Sequence, residues 1–414
     1  MRTVASIDIG TDKIVALIGE VDSYGDIHII GVGETRSRGV NRGTITRLGN
    51  AARAISTAVR EAEEMSGQKV NSVVINISGT SLKSQNEEDT VNISPSPTEI
   101  EEEHINRLLD RSIVKGKEDN FEIIHAIPKK YTLDDQEGIE DPTGLVGSKL
   151  TAQVHIVKAG VNLISNLEKA VQTAGFTPVM KIASALASAK AVLTEEEKES
   201  GVLLLDIGAG LTDYVLFAEG YPVFTGSVNI GGLNITKDIA FFMKVEQDEA
   251  ERTKKEEGVA LVDLAREGEI LKIKPRGETR EVSVEKRQLA EVIQIRLEEI
   301  MDKVINEIEE EGFKLDSANA GIVITGGTAN LKGIKEFVER FTDLPVRIGY
   351  PSGIIGLKER IEDPKYATAV GLLKFAVHPE GLVSEHRTGT GISTNSAGFK
   401  HIIEKLKEFL REIL

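Results

Sequence analysis

Two segments of the chain place an aspartate, an apolar residue and a glycine directly after an apolar run. Residues 6–13 read Ser-Ile-Asp-Ile-Gly-Thr-Asp-Lys, and residues 205–213 read Leu-Asp-Ile-Gly-Ala-Gly-Leu-Thr-Asp. A second apolar run follows each of them, which predicts a β-hairpin with polar residues at its turn. The similarity of the two segments predicts a duplicated α/β unit.

Each predicted turn has residue types that bind phosphate groups. Glycine has no Cβ, so backbone amides can approach phosphate oxygens closely, and a threonine hydroxyl is a further donor. A single hairpin of this composition is common. The prediction therefore rests on the pair, because two facing hairpins can hold one polyphosphate from both sides. The candidate donors are Gly10, Thr11, Gly208, Gly210 and Thr212.

Charged residues of the same turns suit a complex of magnesium with a polyphosphate. Asp8 and Asp206 each lie at the end of a predicted strand, where a carboxylate can hold Mg²⁺ through a water molecule. Lys13 can reach a phosphate as a point charge. We therefore predict Asp8 and Asp206 as the metal-binding residues and Lys13 as a phosphate ligand.

A third glycine-rich segment follows a later apolar run. Gly326 and Gly327 come directly after the predicted strand Ala320–Thr325 and before a predicted helix at 331–341. Two glycines at this place allow the backbone to contact a flat ligand, and the start of a helix adds a positive dipole end. An ordinary turn between a strand and a helix explains the pair equally well.

Length and composition limit the function classes. The 414 residues are 40% hydrophobic, which is enough for a sizeable core. Cysteine is absent, which excludes disulfides, thiolate zinc sites and thiol nucleophiles. The net charge of −16 disfavours non-specific binding to nucleic acid or to anionic membranes. We find no signal peptide and no run of 18 apolar residues, and we therefore expect a cytoplasmic protein.

The rest of the sequence predicts alternating strands and helices, and only residues 81–160 depart from this pattern. There we expect a small α+β insertion, with loop at 86–89 and a helix at 99–114 that begins at a Thr98–Glu101 capping box. The predicted strands are Thr3–Ile9, Ile14–Glu20, Ile27–Val32, Val73–Ile77, Glu122–Ile127, Leu150–Val157 and Val202–Leu205. The other predicted helices lie near 47–66, 162–174 and 182–195 and within 236–265 and 284–311.

The end of the chain has a pattern of its own. Residues 379–398 contain Pro, Gly, Ser and Thr and little apolar material, which predicts a flexible linker. Residues 399–414 predict an amphipathic helix. At 1.5 Å per residue that helix is about 24 Å long, too short and too charged to span a bilayer. We expect it to lie in a membrane interface; docking on the protein's own core or on a partner is the alternative. Its apolar stripe comprises Phe399, Ile402, Ile403, Leu406, Phe409, Leu410, Ile413 and Leu414.

The glycine-rich motifs resemble those of a known superfamily. Asp8-Ile9-Gly10-Thr11, Asp206-Ile207-Gly208-x-Gly210 and Thr325-Gly326-Gly327 are similar to the phosphate 1, phosphate 2 and adenosine motifs of actin, sugar kinases and heat-shock ATPases. Other segments narrow the resemblance to the bacterial cell-division family FtsA, over about residues 1–378 and the terminal helix. They are residues 37–40, the insertion after Gly79, and residues 141–147, 154–156, 231–240 and 250–254.

The resemblance implies an actin-like α/β fold, in which two ribonuclease-H-like domains surround a nucleotide cleft. The inserted α+β segment at 81–160 corresponds to subdomain 1C. The first domain, subdomain 1A, then comprises 1–80, 161–195 and a helical segment at 359–378. The second domain comprises subdomain 2A at 196–228 and 318–358, and subdomain 2B at 229–317. The linker at 379–398 and the helix at 399–414 complete the chain.

The resemblance also implies ligands and site residues. ATP and Mg²⁺ sit between the two hairpins, with Glu251 and Lys254 near the ribose and adenine, and Gly231 and Gly232 near the phosphates or sugar. Relatives carry an acidic or amide group where Ser184 aligns, and that group orients the attacking water. A serine cannot act as a base at neutral pH, so we expect nucleotide binding with at most slow hydrolysis.

The partners implied by the resemblance are the protein itself in a filament, a membrane lipid surface at the division site and the C-terminal peptide of the tubulin-like FtsZ. Other division proteins are possible partners. In FtsA the FtsZ peptide binds subdomain 2B, where Arg287 and Arg296 are the candidates for an acidic peptide; a solvated helix face is their ordinary interpretation. Two other functions stay open: an actin-like protein of type IV pilus assembly, and a small-molecule kinase of the superfamily.

Overall fold

The computed structural model describes residues 2–277 and 280–378. Within these ranges the chain folds into two similar halves and one inserted unit, each with its own buried apolar core. The predicted linker and terminal helix at 379–414 lie outside the described residues. Among the residues described, no helix is both long enough and apolar enough to cross a bilayer.

The first half begins with three antiparallel strands and a helix. The hairpin β1–β2 is paired from Arg2 with Val21 to Ile9 with Ile14. The elements, in chain order, are β1 (Arg2–Ile9), β2 (Lys13–Val21), β3 (Ile27–Arg36), β4 (Val40–Asn41), β5 (Thr44–Ile45), α1 (Leu48–Ser66) and β6 (Ser72–Ile77).

The inserted unit is an antiparallel sheet covered on one face by a helix. Its sheet order is β10-β9-β12-β7, and β8 pairs with β11. Buried residues of α2, such as Leu108, pack with Val91 and Leu150 of the sheet. The elements are β7 (Lys83–Asn92), β8 (Thr98–Glu99), α2 (Glu102–Gly116), β9 (Phe121–Leu133), β10 (Gln136–Ile139), β11 (Val146–Gly147) and β12 (Lys149–Gly160).

The chain then returns to the first half and completes its sheet. The order of that sheet is β13-β6-β1-β2-β3, with β1, β6 and β13 parallel to one another. The added elements are α3 (Val161–Thr173), β13 (Thr177–Ala183), α4 (Ser184–Val192) and α5 (Glu195–Ser200).

The second half repeats the same strand order. Its sheet runs β16-β15-β14-β19-β20, again with three antiparallel strands followed by parallel ones. Its elements are β14 (Val202–Ile207), β15 (Thr212–Ala218), β16 (Tyr221–Val228), α6 (Gly232–Phe242), α7 (Gln247–Glu257), β17 (Ile270–Ile273), β18 (Val282–Glu285), α8 (Lys286–Glu310), β19 (Ile322–Thr325), α9 (Ile334–Thr342) and β20 (Val346–Ile348). The prediction of a duplicated α/β unit is confirmed.

The last described elements belong to the first half again. They are α10 (Lys358–Ile361) and α11 (Ala367–Val377). Helix α11 packs against α4 so closely that a Cβ on Gly371 would lie 1.7 Å from the carbonyl oxygen of Ala187. The crossing of α4 and α11 thus requires glycine at this position.

Several local predictions were wrong. Residues 86–89, predicted as loop, lie inside β7, because pairing with β12 and buried Asp89 override their polar composition. Helix α2 begins after Glu101, whose capping partner is His104, and not at a Thr98 capping box. The predicted helix at 182–195 starts two residues later, because Ile182 and Ala183 end the parallel strand β13. The predicted helical segment at 236–265 is interrupted between α6 and α7.

Candidate functional site

A cavity of about 500 Å³ lies between the two halves, at the turns of the β1–β2 and β14–β15 hairpins. It brings together residues that are far apart in the sequence. The predicted site residues on its wall are Asp8, Gly10, Thr11, Lys13, Asp206, Gly208, Gly210, Gly232, Glu251, Lys254, Gly326 and Gly327.

The two hairpin turns have matching geometry. The Gly10 amide donates to the Lys13 carbonyl at 3.0 Å, and the Gly208 amide donates to the Leu211 carbonyl at 3.0 Å. The tips of the turns meet across the cavity, since a Cβ on Gly210 would lie 2.6 Å from Thr11 Oγ1. The absence of a side chain at Gly210 is what allows this approach.

Three carboxylates face the cavity from the ends of the paired strands. Asp206 and Asp213 are opposite each other in the β14–β15 ladder, and Asp8 comes from β1. Burial raises the pKa of Asp213 to about 7, and the charge of Asp206 adds to the rise. Burial also raises the pKa of Asp8 to about 6, although Lys13 opposes the shift. The carboxylates therefore repel one another in a desolvated place, which favours a bound cation.

This acidic set fits an indirectly held magnesium ion. In the part of the chain that the structure describes, no three acidic or histidine side chains converge closely enough to ligate one metal directly. Mg²⁺ retains several waters and binds through one or two carboxylates together with substrate phosphates. Asp8 and Asp206 suit that mode, because they lie on the two facing hairpins.

Lys13 is anchored beside these acids by the segment that leads into α11. Its Nζ donates to the Lys365 carbonyl at 2.9 Å. Lys365 itself pairs with Glu34 at 3.2 Å, and the Tyr366 hydroxyl donates to Glu34 at 2.6 Å. Two cations, Lys13 and Lys365, thus line the cavity together with the carboxylates.

Helices α6 and α7 provide another part of the cavity wall. Lys254 Nζ donates to Glu251 at 2.7 Å, to Thr236 Oγ1 at 2.9 Å and to the Gly232 carbonyl at 3.0 Å. Burial lowers the pKa of Lys254, although Glu251 opposes the shift. Burial works to raise the pKa of Glu251, but Lys254, Thr236 and Lys255 together outweigh it, so this pKa is below its usual value. Three hydrogen bonds thus fix the position of the Lys254 ammonium beside Glu251.

Two predicted residues do not line the cavity. The Thr212 hydroxyl is fully buried and donates to the Ile230 carbonyl at 2.9 Å, so it points away from the cavity. Gly231 lies behind the wall, because its amide lies 3.2 Å from Asn234 Oδ1 at the start of α6. The Gly232 amide donates to the Gly208 carbonyl at 2.9 Å. These glycines hold the second hairpin turn in place and leave their amides no role as phosphate donors.

Gly326 and Gly327 have different constraints. Gly326 has φ of 84°, and a Cβ there would lie 2.3 Å from Asp206 Oδ1. Gly327 has room, since its Cβ would meet nothing nearer than Lys365 Cβ at 3.9 Å. Gly326 thus lets β19 pass beside the carboxylate of Asp206, while Gly327 lies open to the cavity.

Some residues of the cavity were not predicted as site residues. Asp213 lies seven positions after Asp206, at the end of the segment 205–213, so its signal was present in the sequence. Asn76 Oδ1 accepts from the Ile9 amide at 2.7 Å, and its Nδ2 donates to Ser184 Oγ at 3.1 Å. Lone Asn and Ser residues carry no sequence signal. The structure places Ser184 in the cavity wall, and slow hydrolysis stays a prediction.

The two arginines predicted to bind a partner lie on α8 and do not line the cavity. Arg296 forms a bidentate pair with Asp238 at 2.5 and 2.9 Å and also contacts Glu299. Its charge is therefore already neutralised within the protein. Arg287 is half-exposed and lies 3.7 Å from Glu291, which leaves it the more accessible of the two.

Two family models match the chain. The model described as cell division protein FtsA matches residues 203–371, and the model described as the SHS2 domain inserted in FTSA matches residues 79–158. The second match coincides with the inserted α+β unit.

Curated relatives match nearly the whole chain. The cell division protein FtsA of Pseudomonas aeruginosa is 34% identical over 411 residues, covering 99% of this chain and 98% of the relative. The cell division protein FtsA of Neisseria meningitidis is 34% identical over 409 residues, with 99% and 98% covered.

Solved structures show the fold. The PilM–PilN type IV pilus biogenesis complex has a TM-score of 0.62 at 15% identity, covering 90% of this chain and 98% of the other. The structure of MreB5 of Spiroplasma citri bound to ADP has a TM-score of 0.53 at 16% identity, covering 91% and 96%. At such identities these likenesses show the fold alone, whereas the curated relatives show the family. The chain belongs to the FtsA family of cell division proteins and has the actin-like fold with an inserted SHS2 domain.

Proposed function

We propose that this protein binds ATP with Mg²⁺, polymerises, and tethers the FtsZ ring to the cytoplasmic face of the membrane at the division site. The observation that supports nucleotide binding best is the cavity between two matching hairpin turns, whose wall includes Asp8, Asp206 and the Glu251–Lys254 pair. Its volume of about 500 Å³ is in the usual range for small-molecule sites.

The residue types assign one end of the cavity to the polyphosphate. Thr11 and Gly210 at the hairpin tips can present a hydroxyl and a backbone amide to phosphate oxygens, and Lys13 adds a positive charge. When bound, Mg²⁺ neutralises part of the phosphate charge, and Asp8 and Asp206 would hold it through water. Their contribution is to orient the hydrated ion between the two halves.

The wall formed by α6 and α7 suits the nucleoside. Glu251 can accept hydrogen bonds from ribose hydroxyls, and Lys254 keeps Glu251 ionised. Leu233 and Leu331 line the same cavity and offer apolar contact to a base, next to the backbone at Gly327. Hydrolysis is proposed to be slow at most, because Ser184 is not a base at neutral pH.

Membrane attachment is proposed from the sequence of residues 399–414. One amphipathic helix of this size binds a bilayer weakly and reversibly. A filament presents many such helices to one surface, so avidity makes the attachment firm. The side chains of 399–414 include four basic and three acidic residues, so attachment depends mainly on apolar burial and little on salt.

A surface on α6 and α8 is proposed to receive the FtsZ peptide. Phe241, Phe242 and Ile295 are 84%, 66% and 66% exposed, which is unusual for large apolar side chains. Arg287 on α8 offers a positive charge to an acidic peptide. The combination of exposed aromatic residues with an accessible arginine is typical of peptide-binding surfaces.

The proposal is tested by electron microscopy on lipid monolayers with Mg²⁺ and ATP. We expect membrane-bound filaments with the full chain and none with a chain lacking residues 399–414, because the helix is the proposed anchor. Leu406→Glu with Leu410→Glu should act like the deletion, whereas Lys405→Glu should not. Equal attachment of the deletion and the full chain would contradict the membrane proposal.

The alternative function, that of an actin-like protein of type IV pilus assembly, loses support. The pilus complex shares the fold at 15% identity, whereas the division proteins share 34% identity over the whole chain.

A further inference from the structure

Both carboxylates of the β14–β15 hairpin are held by hydroxyl groups of the other half. At Asp206, Ser188 Oγ donates to Oδ2 at 2.5 Å, and Thr368 Oγ1 donates to the same oxygen at 2.9 Å. Ser188 lies on α4 and Thr368 on α11, the two helices of the first half that cross at Gly371. Both hydroxyl residues are buried, and their oxygens lie 2.9 Å apart.

Asp213 has the same kind of partner. Ser78 follows directly after β6 of the first half, and its Oγ lies 2.7 Å from each carboxylate oxygen of Asp213. One hydroxyl proton is thus shared by two oxygens. Asp206 and Asp213 are opposite each other in the β14–β15 ladder. Three hydroxyl groups from separate segments of the first half therefore contact the same end of this hairpin.

These hydroxyl contacts are better suited to orienting the two carboxylates than to holding the two halves together. A neutral hydroxyl fixes the orientation of a carboxylate without neutralising its charge, so the charge stays available for a cation. A buried lysine in the same place would form an ion pair and compete with that cation. The other oxygen of Asp206, Oδ1, is next to Gly326, and both residues line the cavity.

We propose that Ser78, Ser188 and Thr368 form a hydroxyl clamp that positions Asp206 and Asp213 for a Mg²⁺–nucleotide and couples its binding to the relative placement of the two halves. The clamp residues are positioning residues, because they act through the carboxylates. The inference rests on the proposed nucleotide function and adds to it the groups that orient the cation-binding edge.

The first test compares nucleotide affinity with and without magnesium. We measure binding of a fluorescent ATP analogue to the full chain and to Ser188→Ala with Thr368→Val, in Mg²⁺ and in EDTA. The variant is expected to lose about tenfold in affinity with Mg²⁺ and less than about twofold in EDTA, because only the cation depends on the oriented carboxylate. Ser188→Thr with Thr368→Ser keeps both hydroxyls and should restore the magnesium effect.

Ser112→Ala is the matched control. Ser112 is also a buried serine inside a helix, but its hydroxyl donates to the Leu108 carbonyl of its own helix. It should leave the ratio of the two affinities unchanged. If the clamp variant keeps the full magnesium effect, or if both affinities fall together, the positioning role is overturned.

The second test does not depend on nucleotide. The chain has no cysteine, so spin labels can be placed at Glu64→Cys on α1 and Asp302→Cys on α8, both exposed, in the two halves. Double electron–electron resonance measures the distance distribution between the two labels. This distribution should be broader in the clamp variant than in the Ser112→Ala control. If the unaltered protein binds no ATP, the proposed function fails, while an unchanged distribution in the clamp variant overturns the clamp itself.

Discussion

At the scale of single residues, burial sets the ionisation of the cavity. Asp213 is 9% exposed and has Asp206 as its ladder partner, and its pKa is raised to about 7. An aspartate whose pKa is higher in the folded than in the unfolded chain makes the fold less stable as pH rises through that interval. The site therefore carries an electrostatic cost at neutral pH, which a bound cation would offset.

This cost can be measured with Asp213→Asn, which keeps an acceptor for Ser78 but cannot ionise. The unfolded pKa is 3.8 and the folded pKa about 7, so the penalty grows between these values and is fully present above pH 7. We expect the stability advantage of the variant to increase by about 2–3 kcal/mol from pH 5 to pH 8 in EDTA. Urea denaturation of both proteins at each pH measures it, and a pH-independent difference would contradict the expectation.

Two neighbouring glycines offer a second residue-scale prediction. Gly326→Ala is expected to destabilise the protein by about 2–4 kcal/mol, because φ of 84° strains alanine and its Cβ would clash with Asp206 Oδ1. Gly327→Ala, with no atom closer than 3.9 Å, should change stability by less than about 1 kcal/mol. The free energies of unfolding of the two variants are compared with that of the unaltered protein. Equal effects at the two positions would contradict the prediction and show that a shift of β19 relieves the clash.

At the scale of elements, the α4–α11 crossing joins the chain segments on either side of the second half. The close approach of Gly371 to Ala187 lets the two helices bring Ser188 and Thr368 to the same oxygen of Asp206. Residues of both helices belong to the core of the first half. The helices therefore carry both packing and polar contacts.

Gly371→Ala tests the crossing. A Cβ at 1.7 Å from the Ala187 carbonyl must push the helices apart, and we expect a loss of about 2–4 kcal/mol in the free energy of unfolding. Gly49→Ala in α1 is the matched control, because a Cβ there meets nothing within 4 Å. That control should stabilise the protein by up to about 1 kcal/mol through helix propensity. A tolerated Gly371→Ala would show that the crossing is adaptable.

At the scale of the whole molecule, the inserted unit contacts the second half through a polar seam. The ring of His155 on β12 lies 2.9 Å from Asn86 Oδ1 and 2.9 Å from Thr225 Oγ1 on β16. Ser84 Oγ accepts from the Thr225 amide at 2.9 Å, and the Asn86 amide group donates to the Val223 carbonyl at 2.8 Å. Burial lowers the pKa of His155 to about 3, so the ring is neutral.

Thr225→Val tests this seam. It leaves a buried nitrogen of His155 without its partner, and we expect a loss of about 1–3 kcal/mol in the free energy of unfolding. Thr225→Ser keeps the hydroxyl and should lose less. Hydrogen exchange of β7 and β16 should quicken in the valine variant only; unchanged exchange in both strands would contradict a role in holding the inserted unit to the second half.

The elements that the sequence predicts best are those that form through contacts between residues close together in the chain. The two hairpins were recognised because their apolar runs and glycine turns lie within about fifteen residues of each other, and pairing of that range is encoded locally. The strand β13 was missed, because its Thr177–Ala183 stretch becomes a strand through parallel pairing with distant β6. Residues 86–89 were missed for the same reason, since β12 supplies the partner strand.

The sequence by itself determined the duplicated hairpins, the hairpin-turn residues of the cavity wall and the amphipathic pattern of residues 399–414, because residue type and spacing express these features directly. Only the tertiary structure decided that Thr212 turns away from the cavity, that Asp213 turns toward it, and that Ser188 and Thr368 meet at Asp206. Such contacts join residues up to 180 positions apart. A single Ser or Thr forms no periodic pattern in the sequence, so its hydrogen-bond partner cannot be predicted from the sequence.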